Sequence, residues 1–191
     1  MEGQRIIVAV SGASGSIYAR ALLDRLVASD QVAEVALIFS SHARAVAEQE
    51  GVCLDVESPK VRLYDNGDMF APPASGSADY DAMAIIPCSM GVVGRVASGV
   101  SIDLISRAAD VVLKERARLV VVPREAPLSS IHLRNLTTLS ECGAVVIPAS
   151  PSFYSRPATI EELVGTIVER VMKHLGLKTP HYRWGDEQPT E

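Results

Sequence analysis

Short apolar runs rich in Val and Ile punctuate this chain at residues 5–10, 35–40, 82–87, 119–123 and 144–148. Each run is nearly continuous rather than alternating, the pattern of a parallel strand covered on both faces. Segments with helical spacing lie between them. Over residues 160–175 the apolar positions Ile160, Leu163, Val164, Ile167, Val171, Met172 and Leu175 fall on one stripe. Thr159, with Glu162 three residues on, predicts a capping box at the start of that helix, and Gly176 predicts its stop. Further helices are predicted over 16–27, 42–50, 104–114 and 129–142. The alternation of strand and helix predicts right-handed βαβ units and an α/β fold: one Rossmann-like, doubly wound parallel sheet with helices on both faces. Residues 51–81 break the rhythm. They are rich in Pro, Gly, Ser and Asp and read as a long surface excursion with a short strand at 60–64.

Composition narrows the picture. The 191 residues suit one domain with a full core, expected over 1–185, followed by a polar tail over 186–191. Tyr182 and Trp184 in the otherwise polar end are candidates to pack on a neighbour. A net charge of -5 argues against nucleic acid or an anionic membrane as partner, so an anionic ligand has to be held by a local cationic cluster. The three cysteines, Cys53, Cys88 and Cys142, are widely spaced, which excludes a zinc knuckle and suits a reduced cytoplasmic setting. The four histidines, His42, His132, His174 and His181, show no metal spacing. His174 and His181 are expected at the surface and His132 in the core or at a cap. No basic, apolar leader is seen and no run approaches the roughly 18 apolar residues of a membrane span.

In an open α/β sheet, ligands bind beyond the carboxyl ends of the strands, and the unusual residues of this chain fall there. Strand one leads into Ser11-Gly12-Ala13-Ser14-Gly15-Ser16 and strand two into Ser40 and Ser41. Strand three leads into Cys88-Ser89-Met90-Gly91, strand four into Arg124-Glu125-Ala126-Pro127, and strand five into Ser150-Pro151-Ser152-Phe153-Tyr154-Ser155-Arg156-Pro157. The first loop reads in two ways. Its small residues, its hydroxyls at Ser11, Ser14 and Ser16 and a helix N-terminus suit an anion; equally, it suits a tight strand-to-helix turn capped by Ser. A dinucleotide fingerprint needs G-x-G-x-x-G and an acid at the end of strand two; here the spacing is G-x-x-G and the strand ends in serines. Arg44, which could meet a 2′-phosphate, is expected on the solvent side of its helix. A P-loop lysine is missing too, so a mononucleotide fits better.

Arg107, Lys114, Arg116, Arg118 and Arg124 concentrate positive charge over residues 107–124. Helical spacing would gather Arg107, Lys114 and Arg118 on one face, although Asp110 and Glu115 also make a solvated face, the preferred reading for Arg116 and Arg118. Arg124 directly follows an apolar strand beside Glu125, and a buried Arg–Glu pair at a strand tip is costly without function. No D-D-x-x-D, H-E-x-x-H or G-x-S-x-G motif is present.

Taken jointly, Ser11-Gly-Ala-Ser-Gly15, Ala71-Pro-Pro-Ala-Ser-Gly-Ser77, Pro87-Cys-Ser-Met90 and residues 107–116 carry a resemblance. Val122-Pro-Arg-Glu-Ala-Pro127, Ile131-His-Leu, Gly143-Ala-Val-Val-Ile-Pro148, Phe153-Tyr154 and Arg183-Trp-Gly185 extend it. In order, over nearly the whole chain, these segments resemble the flavin prenyltransferases, the UbiX-like family. The resemblance implies a metal-independent transferase that joins the dimethylallyl group of dimethylallyl monophosphate to N5 and C6 of reduced FMN. The product is prenylated FMN, used by UbiD-like decarboxylases in ubiquinone biosynthesis or aromatic acid decarboxylation. It also implies a large homo-oligomer, typically a homododecamer, with sites at subunit junctions.

Carried onto this sequence, the resemblance makes Gly12, Ala13, Ser14, Ser40, Ser89, Met90, Gly91 and Val92 FMN contacts, with Arg124 near the flavin as well. Lys114, Arg124, Glu125, Tyr154 and Arg170 hold the prenyl phosphate, helped by Arg107. Glu50, with Ser14, Glu125 and Tyr154, belongs to the catalytic set, with Glu50 as the base. Without the resemblance Glu50 reads as an ordinary residue at a helix end. Two places depart from the family pattern: Met69 stands where Trp is implied, which alters the prenyl pocket, and Ser101-Ile102-Asp103 replaces a more usual Asn or Asp arrangement. Two other functions use the same fold. A flavin-dependent cysteine-type decarboxylase needs a histidine near the flavin, and residues 51–81 contain none. A non-catalytic FMN carrier would need the loops but not Glu50, Lys114, Tyr154 and Arg170 together.

Overall fold

The computed structural model describes residues 3–179. Six strands, β1 (Gln4–Val10), β2 (Val32–Phe39), β3 (Val61–Tyr64), β4 (Ala82–Cys88), β5 (Arg118–Pro123) and β6 (Val145–Val146), form one sheet in the order β3-β2-β1-β4-β5-β6. Every pairing is parallel. The helices are α1 (Ser16–Ala28), α2 (Ala43–Gln49), α3 (Met90–Ala97), α4 (Leu104–Lys114), α5 (Ser130–Glu141) and α6 (Ile160–His174). The chain reverses its direction of strand addition between β1 and β4, which opens a crevice above their carboxyl ends.

Strand alternation divides the core. Ile6, Val8 and Val10 of β1, with Val35 and Leu37 of β2 and Val120 and Val122 of β5, pack on one face under α1, α2 and α6. Ile7 and Ala9, with Ile38, Met83, Ile85 and Val121, pack on the other under α3, α4 and α5. Both faces of the central strands are therefore dry, which is why their sequences read as unbroken apolar runs.

Most predicted elements are found with small shifts at their ends. Thr159 accepts from the Glu162 N–H at 3.1 Å, while the Glu162 carboxylate reaches back to Ala158 N at 2.6 Å rather than to Thr159, so half of the expected box forms. Gly176 adopts φ 91 and ends α6. His132 completes a capping box with Ser129, and His174 is exposed in the last turn of α6. The excursion over 51–81 holds β3 as an edge strand and two single 3₁₀ turns, Pro72–Ala74 and Gly76–Ala78. Helix α3 was not predicted. Its eight residues contain two glycines and three valines, so propensity hides it, and its amphipathic packing against α5 creates it. Asp103, in the departing segment, caps α4 by accepting from Ser106 N at 2.8 Å. His181, Tyr182, the Arg183-Trp-Gly185 motif and the tail over 186–191 lie outside the described residues. No helix among the described residues is long and apolar enough to cross a membrane.

Candidate active site

A row of bonds ties the strand ends into one rim. Ser40 N donates to Val10 O at 2.9 Å, Ser11 N to Pro87 O at 3.2 Å, Arg124 N to Cys88 O at 3.1 Å and Ala149 N to Pro123 O at 3.1 Å. At the β1–β4 crevice the Ser11 hydroxyl donates to Pro87 O at 2.8 Å and accepts from Ser89 N at 2.7 Å. Ser11 is buried, and its hydroxyl is committed to this tie. It therefore welds the first loop to the third and is not free to hold a ligand, a correction to its reading as an anion donor. Gly12, Ala13, Ser14, Ser40, Ser89 and Arg124 lie on the welded rim, just beyond the carboxyl ends of the neighbouring strands β1, β2, β4 and β5, while Met90, Gly91 and Val92 form the first turn of α3, with Met90 and Val92 buried.

The mouth of the first loop is occupied from within the chain. Gly15, not a serine, precedes α1, in the left-handed region at φ 107 and with no side-chain cap. The cap comes from Glu50, the residue that ends α2. Its carboxylate accepts from Gly15 N at 2.8 Å and from Ser16 N at 2.7 Å. An anion does sit at the N-terminus of α1, as the loop chemistry suggests, but it is a carboxylate of the protein. Partial burial pushes the Glu50 pKa up, but bonds from Ser14, Gly15 and Ser16 outweigh it and hold the group below its ordinary value of 4.5.

His42 was given no role by its spacing, yet it backs the first loop. A Cβ on Gly12 would lie 2.7 Å from His42 Cβ, so only glycine lets the loop pass. Gly12→Ala is expected to push the loop off α2, lowering stability by about 1–3 kcal/mol and weakening flavin binding. Thermal unfolding and FMN titration check this, and His42→Gly in the same chain should restore both. No sequence signal linked these two residues, because they lie 30 positions apart and meet only through packing.

The cationic cluster does not assemble in one chain. Arg107 donates to Ala74 O at 3.1 Å and pairs with Asp110 at 2.9 Å, bracing the first 3₁₀ turn. Lys114 is the last residue of α4 and pairs with Glu115. It lies at the amino end of β5, while Arg124 follows the carboxyl end, so the two stand on the order of 20 Å apart. Arg118 starts β5, which separates it from any face of α4. Arg124 and Glu125 are both exposed, and the Glu125 carboxylate accepts from Ala126 N at 3.1 Å. The expected buried Arg–Glu pair is thus absent among the described residues. It fails because the chain turns outward after Pro123 and leaves both side chains in water. Tyr154 is exposed in the loop after β6, and Arg170 is exposed more than two turns into α6. Arg44 is exposed, as expected, and pairs with Asp55.

A parallel sheet with this strand order and loops clustered at its carboxyl edge is the Rossmann-type architecture, and a family model described as Flavoprotein, matching residues 1–172, places the chain in the flavoprotein class. The flavin prenyltransferase UbiX of Methanocaldococcus jannaschii is 42% identical over 187 residues, covering 95% of this chain and 98% of that protein. Among solved structures, AnUbiX (PadA1) in complex with FMN and dimethylallyl pyrophosphate superposes with a TM-score of 0.85 at 39% identity, covering 98% of this chain and 100% of that one. A dodecameric FMN-dependent UbiX-like decarboxylase from Escherichia coli O157:H7 superposes at 0.84 with 37% identity, covering 95% and 99%. The chain belongs to the UbiX-type flavin prenyltransferases.

Proposed function

We propose that this protein transfers the dimethylallyl group of dimethylallyl monophosphate to reduced FMN, its acceptor substrate, and releases prenylated FMN to a UbiD-like decarboxylase. Near full-length likeness to prenyltransferases supports the reaction class. The observation that carries the reading is the Glu50 carboxylate fixed across the mouth of the first flavin loop. The carboxylate caps α1, and prenyl transfer gives it a second task, as a base, that FMN carriage would not require.

The chemistry assigns the residues. The allylic C–O bond breaks as N5 bonds to the prenyl carbon, and the departing phosphate needs fixed cations and donors, each supplying roughly 2–4 kcal/mol. Lys114, Arg124, Arg170 and the Tyr154 hydroxyl are the groups for it, with Glu125 beside them in the phosphate-holding set. The N5 proton leaves with the departing phosphate; in ring closure the phosphate returns that proton to the alkene, C6 bonds to the tertiary prenyl carbon, and C6 gives up its own proton. Glu50 takes the proton from C6, and Ser14, on the same loop, orients the exchange.

Since Lys114 and Arg124 cannot reach one phosphate within a chain, we place the complete site between copies, in a homo-oligomer of the dodecameric kind. Phe70 is 99% exposed, and Ile102, Ile131, Phe153 and Ile160 also present large apolar surfaces that such contacts would cover. Arg107, bracing the turn at Ala74, would then shape the surface that a neighbour meets.

Anaerobic incubation with reduced FMN and dimethylallyl monophosphate should yield a flavin heavier by one prenyl unit, read by mass spectrometry. The diphosphate, run in parallel, tests the choice of donor. Recovery of unmodified FMN with binding intact would replace this reading with the carrier.

A further inference from the structure

Arg95 has no part in the reaction just described, and its guanidinium is incompletely satisfied. Its Nε is buried and has no hydrogen-bond partner among the described residues. Its Nη2 stands 3.6 Å from Asp103 Oδ2, longer than a hydrogen bond, and that carboxylate is already committed to capping α4 through Ser106. Buried donors nearly always find an acceptor, so an orphan on a cation calls for one that the chain itself does not supply. We propose that Arg95 is a flavin-binding residue that favours the reduced acceptor, its guanidinium meeting the negatively charged N1 and C2-carbonyl edge of reduced FMN. The inference deepens the reading above and rests on it for reduced FMN as the acceptor.

Placement carries the argument. Arg95 follows Gly91 by four residues on α3, so the two share a face, and helical side chains lean towards the helix start. The guanidinium accordingly folds back over the first turn. Its Nη1 lies 3.8 Å from where a Cβ on Gly91 would stand, and Gly91 itself is exposed. That turn directly follows β4, at the crevice between β1 and β4 where the order of strand addition reverses. The cation is thus beside the ligand crevice rather than on an outer face of the helix.

The start of α3 works in the same sense. Helices α1, α4, α5 and α6 each begin on a side-chain acceptor, from Glu50, Asp103, Ser129 and Thr159. Helix α3 begins on Ser89 with no side-chain cap, and its first turn holds no acidic residue. Two-electron reduction leaves a flavin with negative charge over N1 and the C2 carbonyl once N1 has shed its proton, whereas the oxidised ring is neutral. A guanidinium and the positive end of a helix therefore favour the reduced ring over the oxidised one. The start of α1 cannot do this, because the Glu50 carboxylate fills it and would repel the anion.

The test measures the affinity of the full-length protein for oxidised and for reduced FMN, anaerobically, with the midpoint potential of the bound flavin as a second readout. Arg95→Met should weaken binding of reduced FMN about tenfold more than that of oxidised FMN. The midpoint potential then falls by about 30 mV, the equivalent of tenfold for a two-electron couple. Arg95→Lys, which keeps the charge, should recover most of the difference. Arg95→Gln, which keeps a donor and drops the charge, should behave as Arg95→Met does and serves if that variant fails to fold. Equal losses in the two redox states would make Arg95 a structural strap and overturn the proposal, as would no change in either. Riboflavin, run in parallel, should show the same redox preference. An effect seen with FMN and absent with riboflavin would give the guanidinium to the phosphate and overturn its assignment to the ring. No prenyl donor is present in these measurements, so a wild type that never prenylates FMN would sink the reaction and leave this result standing.

Discussion

Glu50→Gln should stall the enzyme after N5 is attached, with ring closure slowed by about 10²–10⁴-fold, the share that a positioned general base supplies. Rapid-quench mass spectrometry would show the prenyl unit on the flavin at a near-normal rate. Optical spectra would show that the second bond, to C6, had not formed. Normal ring closure in this variant would remove Glu50 from the mechanism. The same substitution has a structural side. The Gln amide has one acceptor where the carboxylate has two, so either Gly15 N–H or Ser16 N–H faces an NH₂ group. Because Glu50 is exposed, the loss of stability should be about 1 kcal/mol or less.

The pH dependence of that loss has a definite sign. Glu50 titrates lower in the folded chain than its ordinary 4.5. Its contribution is therefore present above the unfolded value and disappears as pH falls through the folded one. Wild type and Glu50→Gln should differ in thermal stability at neutral pH and converge in acid.

Replacing Lys114 by Ala should cost about 10²–10³-fold in prenyl transfer, as removal of one preorganised donor to developing charge does. Flavin binding should persist, since the rim residues are far from it. The geometry makes a sharper experiment possible. Glu50 lies at the carboxyl end of the sheet and Lys114 at the amino end, so one site cannot draw both from one chain. Co-expressing Lys114→Ala with Glu50→Gln should then rescue activity, in random assemblies to about a quarter of wild type, since each site needs the intact residue from each kind of subunit. Assemblies that contain both variants and show no rescue would mean that each site draws both residues from one chain, and would overturn the placement of the site between copies.

Much of the fold is legible in the sequence. Runs such as 5–10 and 82–87 are apolar at every position because both faces of a central parallel strand are covered, and that demand is written residue by residue. The loops carrying Gly12, Ser40, Ser89 and Arg124 followed from the same pattern, since residues that suit neither strand nor helix collect where strands end. Helix α3 escaped because its two glycines and three valines give no propensity signal, and only packing on α5 makes it a helix.

What composition, period and spacing could convey was local: which segments are strands, which ends bear chemistry, and that a mononucleotide suits the first turn better than a dinucleotide. Distance was beyond them. Lys114 and Arg124 are ten residues apart on paper and a full strand apart in space, whereas Glu50 and Gly15, 35 apart, share a hydrogen bond. A periodic signal ends where an element ends, and the bonds that weld Ser11 to Ser89 or seat Glu50 on α1 join elements that only the folded sheet brings side by side.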